Sequence, residues 1–505
     1  MEYVGSTLFA WLLLVVLVVY SRSPSSHLPP GPKGLPLIGN IFDLSLKELW
    51  LSLEKWAREY GDIVYIHVFG TGLVFLNDAE VAVDLMDRKG SIYSDRPHLV
   101  MAGELCGGYN IMSFTGYNDQ FRRQRRLMQR ALTPLVIKNY HPLLEMETIP
   151  FLKRLLSKPT SYVDHIRRYA GTLTLNVIYG HQVTSDDDRC LKIAEACADV
   201  LANDIAGGGF LWLVDVLPFL RHLPMWAPGS GFKHKAIKWK AQLTEFATVP
   251  YDEFKENMAN GTAKTCYCST LVEAAGKSIT EQDEFDIKYS ANTMYSASLD
   301  TTITVVTSFM LCMVLNPEVR IKAQEEIDRV VGKDRLPNFT DRPNLPYMEC
   351  VLSEVFRWTS PVPYALPHRL MEDDTYRDYF IPKGSFVFAN IWNMCRDERM
   401  YPDAHAFVPE RFAQPADEET KKKRDPKNFV FGFGRRRCPG MYLAEQSTWL
   451  LITSMLAALD IQKAVDEKGN VIEPEVRYEN SVFRMPAPFK MDIRPREHAR
   501  KLMNL

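Results

Sequence analysis

The sequence predicts a mainly α-helical fold with a small β portion, preceded by a single N-terminal transmembrane helix. Three observations carry this expectation. Helical periodicity dominates residues 160–330 and leads into a long apolar stretch, Ile279–Asn316. Strand-like runs rich in Val, Ile, Phe and Tyr are confined to the regions around Ile63–Leu76 and Tyr379–Asn390. The segment Leu8–Val19 is wholly apolar, and Val4–Tyr20 carries no charge.

At 505 residues and 46% hydrophobic content the chain can bury a large core. No Gly-, Ser- or Pro-rich linker and no repeat interrupts residues 40–495. The expected division is therefore an anchor over 1–22, a proline-rich hinge over 23–40, and one large domain over 41–505. A net charge of −2 argues against a nucleic-acid partner. The nine cysteines are odd in number and have no paired spacing. Cys266-Tyr-Cys268 lacks a second pair to complete a zinc pattern. Free, mostly buried thiols in a reducing compartment are expected.

The apolar N-terminal core is short for a membrane span, so a cleaved signal peptide is its competitor. Three features favour retention. Residues before the apolar run include Glu2 but no Lys or Arg. The first basic residue, Arg22, follows it and favours a cytosolic C-terminal side. No small-residue cleavage site precedes a polar domain, and Leu28-Pro-Pro-Gly-Pro32 comes instead, a stiff extended run.

The elements follow in order. Pro36–Asn40 reads as a turn, and Leu46–Tyr60 as an amphipathic helix stopped by Gly61. Ile63–Phe69 and Leu73–Leu76 form a β-hairpin. Residues 98–116 are glycine-rich and aperiodic, and are expected to be a long loop. A strongly basic helix begins at Phe121-Arg-Arg-Gln-Arg125-Arg126. Ala206-Gly-Gly-Gly209 breaks the helical region, and Pro218, Pro224 and Pro228 bound an irregular stretch. The Ile279–Asn316 helix has Thr280 as N-cap and Glu281, Asp283 and Glu284 in its first turn. A charged helix runs from Pro317 to Val331, and another spans Asn344–Trp358.

The densest chemistry lies in Phe431-Gly-Phe-Gly-Arg-Arg-Arg-Cys438-Pro-Gly440. Arg435, Arg436 and Arg437 favour a thiolate at Cys438. An apolar helix starts at Met441, so backbone N–H groups at its N-terminus point the same way. A lone thiolate in such a loop suits a soft metal ion, haem iron among the candidates. The loop alone also permits a merely reactive or structural cysteine.

The spacing Phe431-x-x-Gly434-x-Arg436-x-Cys438-x-Gly440 resembles the haem-binding signature of the cytochrome P450 family at every fixed position. Glu354-Val-Phe-Arg357 resembles that family's Glu-x-x-Arg pair, and Pro409-Glu-Arg411-Phe412 its Pro-Glu-Arg-Phe segment. Ala297-Ser-Leu-Asp300-Thr301-Thr302 resembles its oxygen-binding helix. The similarity runs from Leu28 to about residue 495 and looks closest to fungal microsomal members of secondary metabolism.

The resemblance implies a cytochrome P450 fold holding haem b, with Cys438 as the axial thiolate ligand. It implies propionate contacts from Arg125, His368 and Arg436, with Arg369 as an alternative to His368. It makes Asp300 and Thr301 the catalytic pair that delivers protons to oxygen, and Glu354, Arg357 and Arg411 a structural triad. Two departures stand out. Phe121 occupies the place of a propionate-binding Trp, and Ser298 that of a glycine which makes room for dioxygen. The implied reaction is monooxygenation of a hydrophobic small molecule, a terpenoid or aromatic metabolite, by O2. Electrons come from NADPH through a cytochrome P450 reductase, with cytochrome b5 as a further donor. Arg435, Arg437, Lys421–Arg424, Lys427 and Arg122–Arg126 are expected to offer the reductase one basic surface. The implied location is the endoplasmic reticulum membrane, single-pass, with the domain cytosolic. Two other readings stay open: a haem-thiolate isomerase or dehydratase needing no reductase, and a haem-binding carrier or sensor.

Overall fold

A computed structural model describes residues 27–502 apart from 46, 186, 206–211, 480 and 481. The anchor segment and the glycine run at 206–209 lie outside the described residues. The described chain packs as two compact units.

The smaller unit comprises residues up to Pro97 together with Tyr364–Met394 and Phe433–Arg436. Its helix α1 (Leu49–Tyr60) buries Trp50, Leu53 and Trp56 and stops at Gly61, whose φ is 93°. Strands β1 (Ile63–Val68) and β2 (Thr71–Leu76) form the expected hairpin. Phe69 and Gly70 turn it with φ of 48° and 82°, matching the two positive φ values of the turn that suits strand twist. Strands β3 (His368–Arg369), β4 (Asp374–Tyr376), β5 (Tyr379–Ile381) and β6 (Phe386–Ala389) follow. The sheet order is β1-β2-β6-β3, with β2 and β6 parallel and the other pairs antiparallel; β4 and β5 pair separately.

The larger unit is mostly helical. Its longer helices are α2 (Asp119–Ala131), α3 (His141–Ser157), α4 (Tyr162–Tyr179), α5 (Arg189–Asp199), α6 (Gly231–Ala259) and α7 (Tyr267–Ala275). They continue with α8 (Glu281–Leu315), α9 (Pro317–Val331), α10 (Pro346–Thr359) and α11 (Met441–Ala458), and a β7–β8 pair (Leu459–Lys463, Met491–Pro495) follows. The stretch expected to be a plain loop, 98–116, instead contains helical turns at Val100–Leu105 and Gly108–Asn110.

Helix α8 organises this unit. Thr280 caps it in a reciprocal capping box with Asp283. It is apolar and long enough to cross a membrane, but 72% of its most apolar window is buried inside the protein. Its apolarity is therefore taken up by packing. Ile287 to Leu299 belongs to one hydrophobic core, and Ile303 to Val314 to another. The changeover falls on Asp300, Thr301 and Thr302, all only partly buried. A polar triplet thus sits where the helix leaves one core and enters the next.

Candidate active site

Cys438 stands apart from the other cysteines. All nine are free; eight are buried and Cys438 is exposed. Its amide donates to the Phe431 carbonyl at 2.8 Å, closing the loop. Gly440 precedes the first turn of α11, and the N–H groups of Gly440 and Met441 point toward the sulfur. Arg125 and Arg437 add positive charge. Although the residue is exposed, the protein packed around the sulfur desolvates a thiolate; this outweighs these groups and raises the thiol pKa. The arginine-rich sequence alone suggests the opposite sign. The guanidiniums and N–H groups turned toward the sulfur fit a metal-bound thiolate.

Arg125 extends from α2, where burial lowers its pKa and Cys438 opposes that shift. It donates to the Arg437 carbonyl, one residue before the cysteine. Phe121, one turn earlier on the same helix, is 3% exposed and packs with Met112, Met128, Leu132 and Ile137. Its ring lies 5.6 Å from that of Tyr117. The departure from Trp therefore fills an apolar cluster.

On α8, Ala297 is exposed although the helix around it is largely buried. Thr301, one turn on, donates its hydroxyl to the Ala297 carbonyl at 2.8 Å. Burial raises the Asp300 pKa to about 6; Arg167 opposes this, while Asp199 and Glu479 reinforce it. Ser298 faces elsewhere. Thr174 of α4 donates to its hydroxyl at 2.9 Å. Leu299, at 1% exposure, packs in the core near Gly171.

The smaller unit gathers positive charge. His368 is buried, and its Nδ1–H donates to the Tyr93 carbonyl at 2.6 Å. Burial pushes its pKa well down, and Arg96 and Arg436 push the same way. Arg96 donates to the carbonyls of Leu366 (2.9 Å) and Pro367 (2.7 Å), and its Nε has no hydrogen-bond partner. Burial lowers its pKa to about 10. Arg436 donates to the Ser94 carbonyl at 2.8 Å. Two guanidiniums and an imidazole packed together fit an anionic group such as a propionate. Sequence reasoning does not single out Arg96, because Ser94-Asp-Arg-Pro97 carries no periodic signal. Arg369 is engaged by Asp95 at 2.7 Å, which leaves His368 the stronger candidate. Gly434 permits the turn before Arg436: its φ is 55°, and a Cβ would meet the Met86 carbonyl oxygen at 2.1 Å.

The expected triad is complete. Arg357 grips Glu354 through two bonds of 2.7 Å, and Arg411 adds one of 3.2 Å. Glu354 also accepts from Val408 N–H at 2.7 Å. Arg357 directs its remaining donors to the carbonyls of Cys395, Ala404 and Ala406. Glu354 and Arg357 are fully buried. Every ionic group has partners, as burial of charge demands.

The basic run expected to form a docking surface is substantially neutralised. Lys421 pairs with Glu418, Lys423 with Glu419, and Lys427 with Glu445 and Asp425. Arg122 pairs with Asp119, and Arg123 with Asp286. Arg435 belongs to the smaller unit and the other members to the larger.

Comparison with known proteins gives a consistent answer. The family model described as Cytochrome P450 matches residues 29–491. Cytochrome P450 monooxygenase claT of Ampulloclitocybe clavipes is 41% identical over 96% of both chains. Cytochrome P450 monooxygenase 176 of Postia placenta is 40% identical, covering 94% of this chain and 92% of its own. Cytochrome P450 monooxygenase claR of Ampulloclitocybe clavipes is 40% identical, covering 93% and 87%.

Proposed function

This chain belongs to the cytochrome P450 family and is a haem-dependent monooxygenase, and on that premise we propose which of its residues hold the cofactor and run the reaction. Cys438 ligates the iron. Arg125, His368 and Arg436 hold the propionates, and Arg96 joins them. Bound haem supplies the activation of O2 with two electrons, so that one oxygen atom enters the substrate and the other leaves as water.

The residues of this chain provide protons and order. Thr301 presents a hydroxyl beside exposed Ala297 and can hold a water there. Asp300, with a pKa near 6, exchanges a proton with solvent close to neutral pH. The arginines screen the propionates, and a propionate carboxylate opposes the charge that drives His368 down. The single observation that carries this reading is Cys438 itself, exposed where the other cysteines are buried and placed at the start of α11, with the N–H groups of Gly440 and Met441 and the guanidiniums of Arg125 and Arg437 acting on its sulfur.

The substrate is a hydrophobic small molecule of the terpenoid or aromatic class, and electrons from NADPH reach the enzyme through a flavoprotein reductase, with cytochrome b5 as a further donor. Residues 1–22 anchor one catalytic domain, 41–505, to the cytosolic face of the endoplasmic reticulum through the hinge at 23–40. Reconstitution of the full chain with reductase in microsomes tests this. Substrate-dependent NADPH and O2 consumption with hydroxylated product is expected. Full-rate turnover of a peroxide substrate without reductase would establish the isomerase reading instead, and haem binding without turnover a carrier.

A further inference from the structure

A second group of ligating side chains lies in the larger unit. Helix α4 ends at Gly180, whose φ is 68°, and His181 follows. Asp188 caps the N-terminus of α5, and Cys190 sits in its first turn. Glu253 projects from α6. None of these residues has a role in the haem site.

Their geometry is that of a ligand set. His181 Nε2 lies 2.8 Å from Asp188 Oδ2. One donor atom each from His181, Asp188 and Cys190 falls within 4.8 Å of the other two. On the far side of the imidazole, Nδ1 lies 3.5 Å from Glu253 Oε2. The Cys190 thiol donates to that same oxygen at 3.3 Å. Zinc bound by N, O and S at about 2.0–2.3 Å spaces its ligands by about 3.3–3.7 Å, so the three donor atoms, within 4.8 Å of one another, must adjust their spacing on binding.

The supporting contacts are also present. Asp188 Oδ1 accepts from Leu191 N–H at 3.0 Å, which leaves Oδ2 turned to the histidine. The Tyr295 hydroxyl donates to the Cys190 carbonyl at 3.3 Å and holds that turn. A carboxylate on the second ring nitrogen is the recurring outer partner of a metal-ligating histidine, fixing its tautomer and orientation. Cys190 is fully buried, while the His181 and Glu253 side chains are 24% and 35% exposed. An ion can therefore enter from solvent and settle on a sulfur beneath.

We propose that His181 Nε2, Asp188 Oδ2 and Cys190 Sγ form a binding site for a borderline-soft divalent cation of the zinc class, with water as fourth ligand and Glu253 in the outer shell. Thiolate and imidazole together select such an ion over magnesium or calcium. Binding releases the thiol proton to solvent, and thiolate plus carboxylate neutralise the two positive charges. The thiol must lose its proton to bind, so affinity increases with pH. The ion ties the α4–α5 turn to α5 and, through Glu253, to α6.

The test uses the haem-loaded full chain, so that Cys438 is already engaged. Equilibrium dialysis against chelator-buffered zinc, with metal counted by mass spectrometry, should find one zinc per chain. His181→Ala and Cys190→Ser should each weaken binding at least about tenfold. Glu253→Gln should weaken it less, and Cys350→Ser should not change it. The carbon-monoxide difference spectrum verifies that each variant is folded. If His181→Ala or Cys190→Ser unfolds, Glu253→Gln decides. No zinc on the wild-type chain overturns the proposal, as does undiminished zinc on all three site variants. Because zinc rather than turnover is read, the outcome is independent of the haem-site assignment.

Discussion

Thr174 of α4 and Ser298 of α8 meet hydroxyl to hydroxyl at 2.9 Å. Each also has a carbonyl on its own helix, Ala170 for Thr174 and Tyr295 for Ser298. Each hydroxyl has one hydrogen, so one donates across the gap while the other bonds its own helix. The residue that departs from the family's glycine is thus a helix–helix link.

Ser298→Ala should therefore leave product per NADPH unchanged and cost about 1 kcal/mol of stability. Thr174→Ala should cost a similar amount, and the double variant less than the sum. Thermal unfolding of the four proteins checks this. Additive losses, or loss of coupling in Ser298→Ala, would show that the hydroxyl acts at the oxygen site.

Thr301→Ala should keep haem and substrate binding but divert reducing equivalents into hydrogen peroxide. Asp300→Asn should slow turnover with a smaller effect on coupling. Assays of NADPH, product and peroxide separate the two. Wild-type rate and coupling in both variants would move the proton relay to an ordered water.

Asp300 also makes a stability prediction. Burial raises its folded pKa to about 6, against an ordinary value near 3.8. Between those values the native state binds more protons than the unfolded chain, so this group's contribution falls as pH rises. The loss is complete above about pH 6 and is bounded at about 3 kcal/mol. Asp300→Asn should gain stability over wild type at pH 7.5 and much less at pH 4. Denaturant midpoints at the two pH values measure it, and a difference independent of pH would refute the assignment.

Glu354→Gln should be among the most damaging substitutions. It leaves the guanidiniums of Arg357 and Arg411 buried without their carboxylate, a loss of about 3–5 kcal/mol. Little folded holoprotein is expected from expression, judged by haem content per chain. Normal yield and melting temperature would show that the backbone carbonyls alone hold Arg357.

Cys438→Ala should abolish the thiolate-type absorption of the reduced carbon-monoxide complex. Deletion of residues 1–22 should release the protein from carbonate-washed membranes while that absorption persists. A spectrum unchanged in Cys438→Ala would exclude this sulfur as ligand, and a mature chain starting after residue 20 would mark a cleaved signal.

Short-range chemistry makes much of this molecule legible in the sequence itself. Thr280 with Asp283 specifies a helix start, Gly61 a stop, and Pro317 the start of the charged helix, because capping and φ restrictions act between near neighbours. The ligand loop is equally local, since Gly434, Arg436, Cys438 and Gly440 lie within seven positions. Tertiary structure decided which way each group faces. Ser298 and Thr301 are three residues apart, yet one bonds α4 and the other lies beside the exposed Ala297, because α8 passes between two cores. Arg96 and His368 come from segments far apart in sequence and meet through the packing of the smaller unit. His181, Asp188 and Cys190 lie within ten positions but show no usual metal spacing; the end of α4 and the start of α5 bring them together, and α6 adds Glu253. Packing also pushes the Cys438 thiol pKa up, because desolvation depends on everything packed around the sulfur, and its neighbours in sequence are only a small part of that.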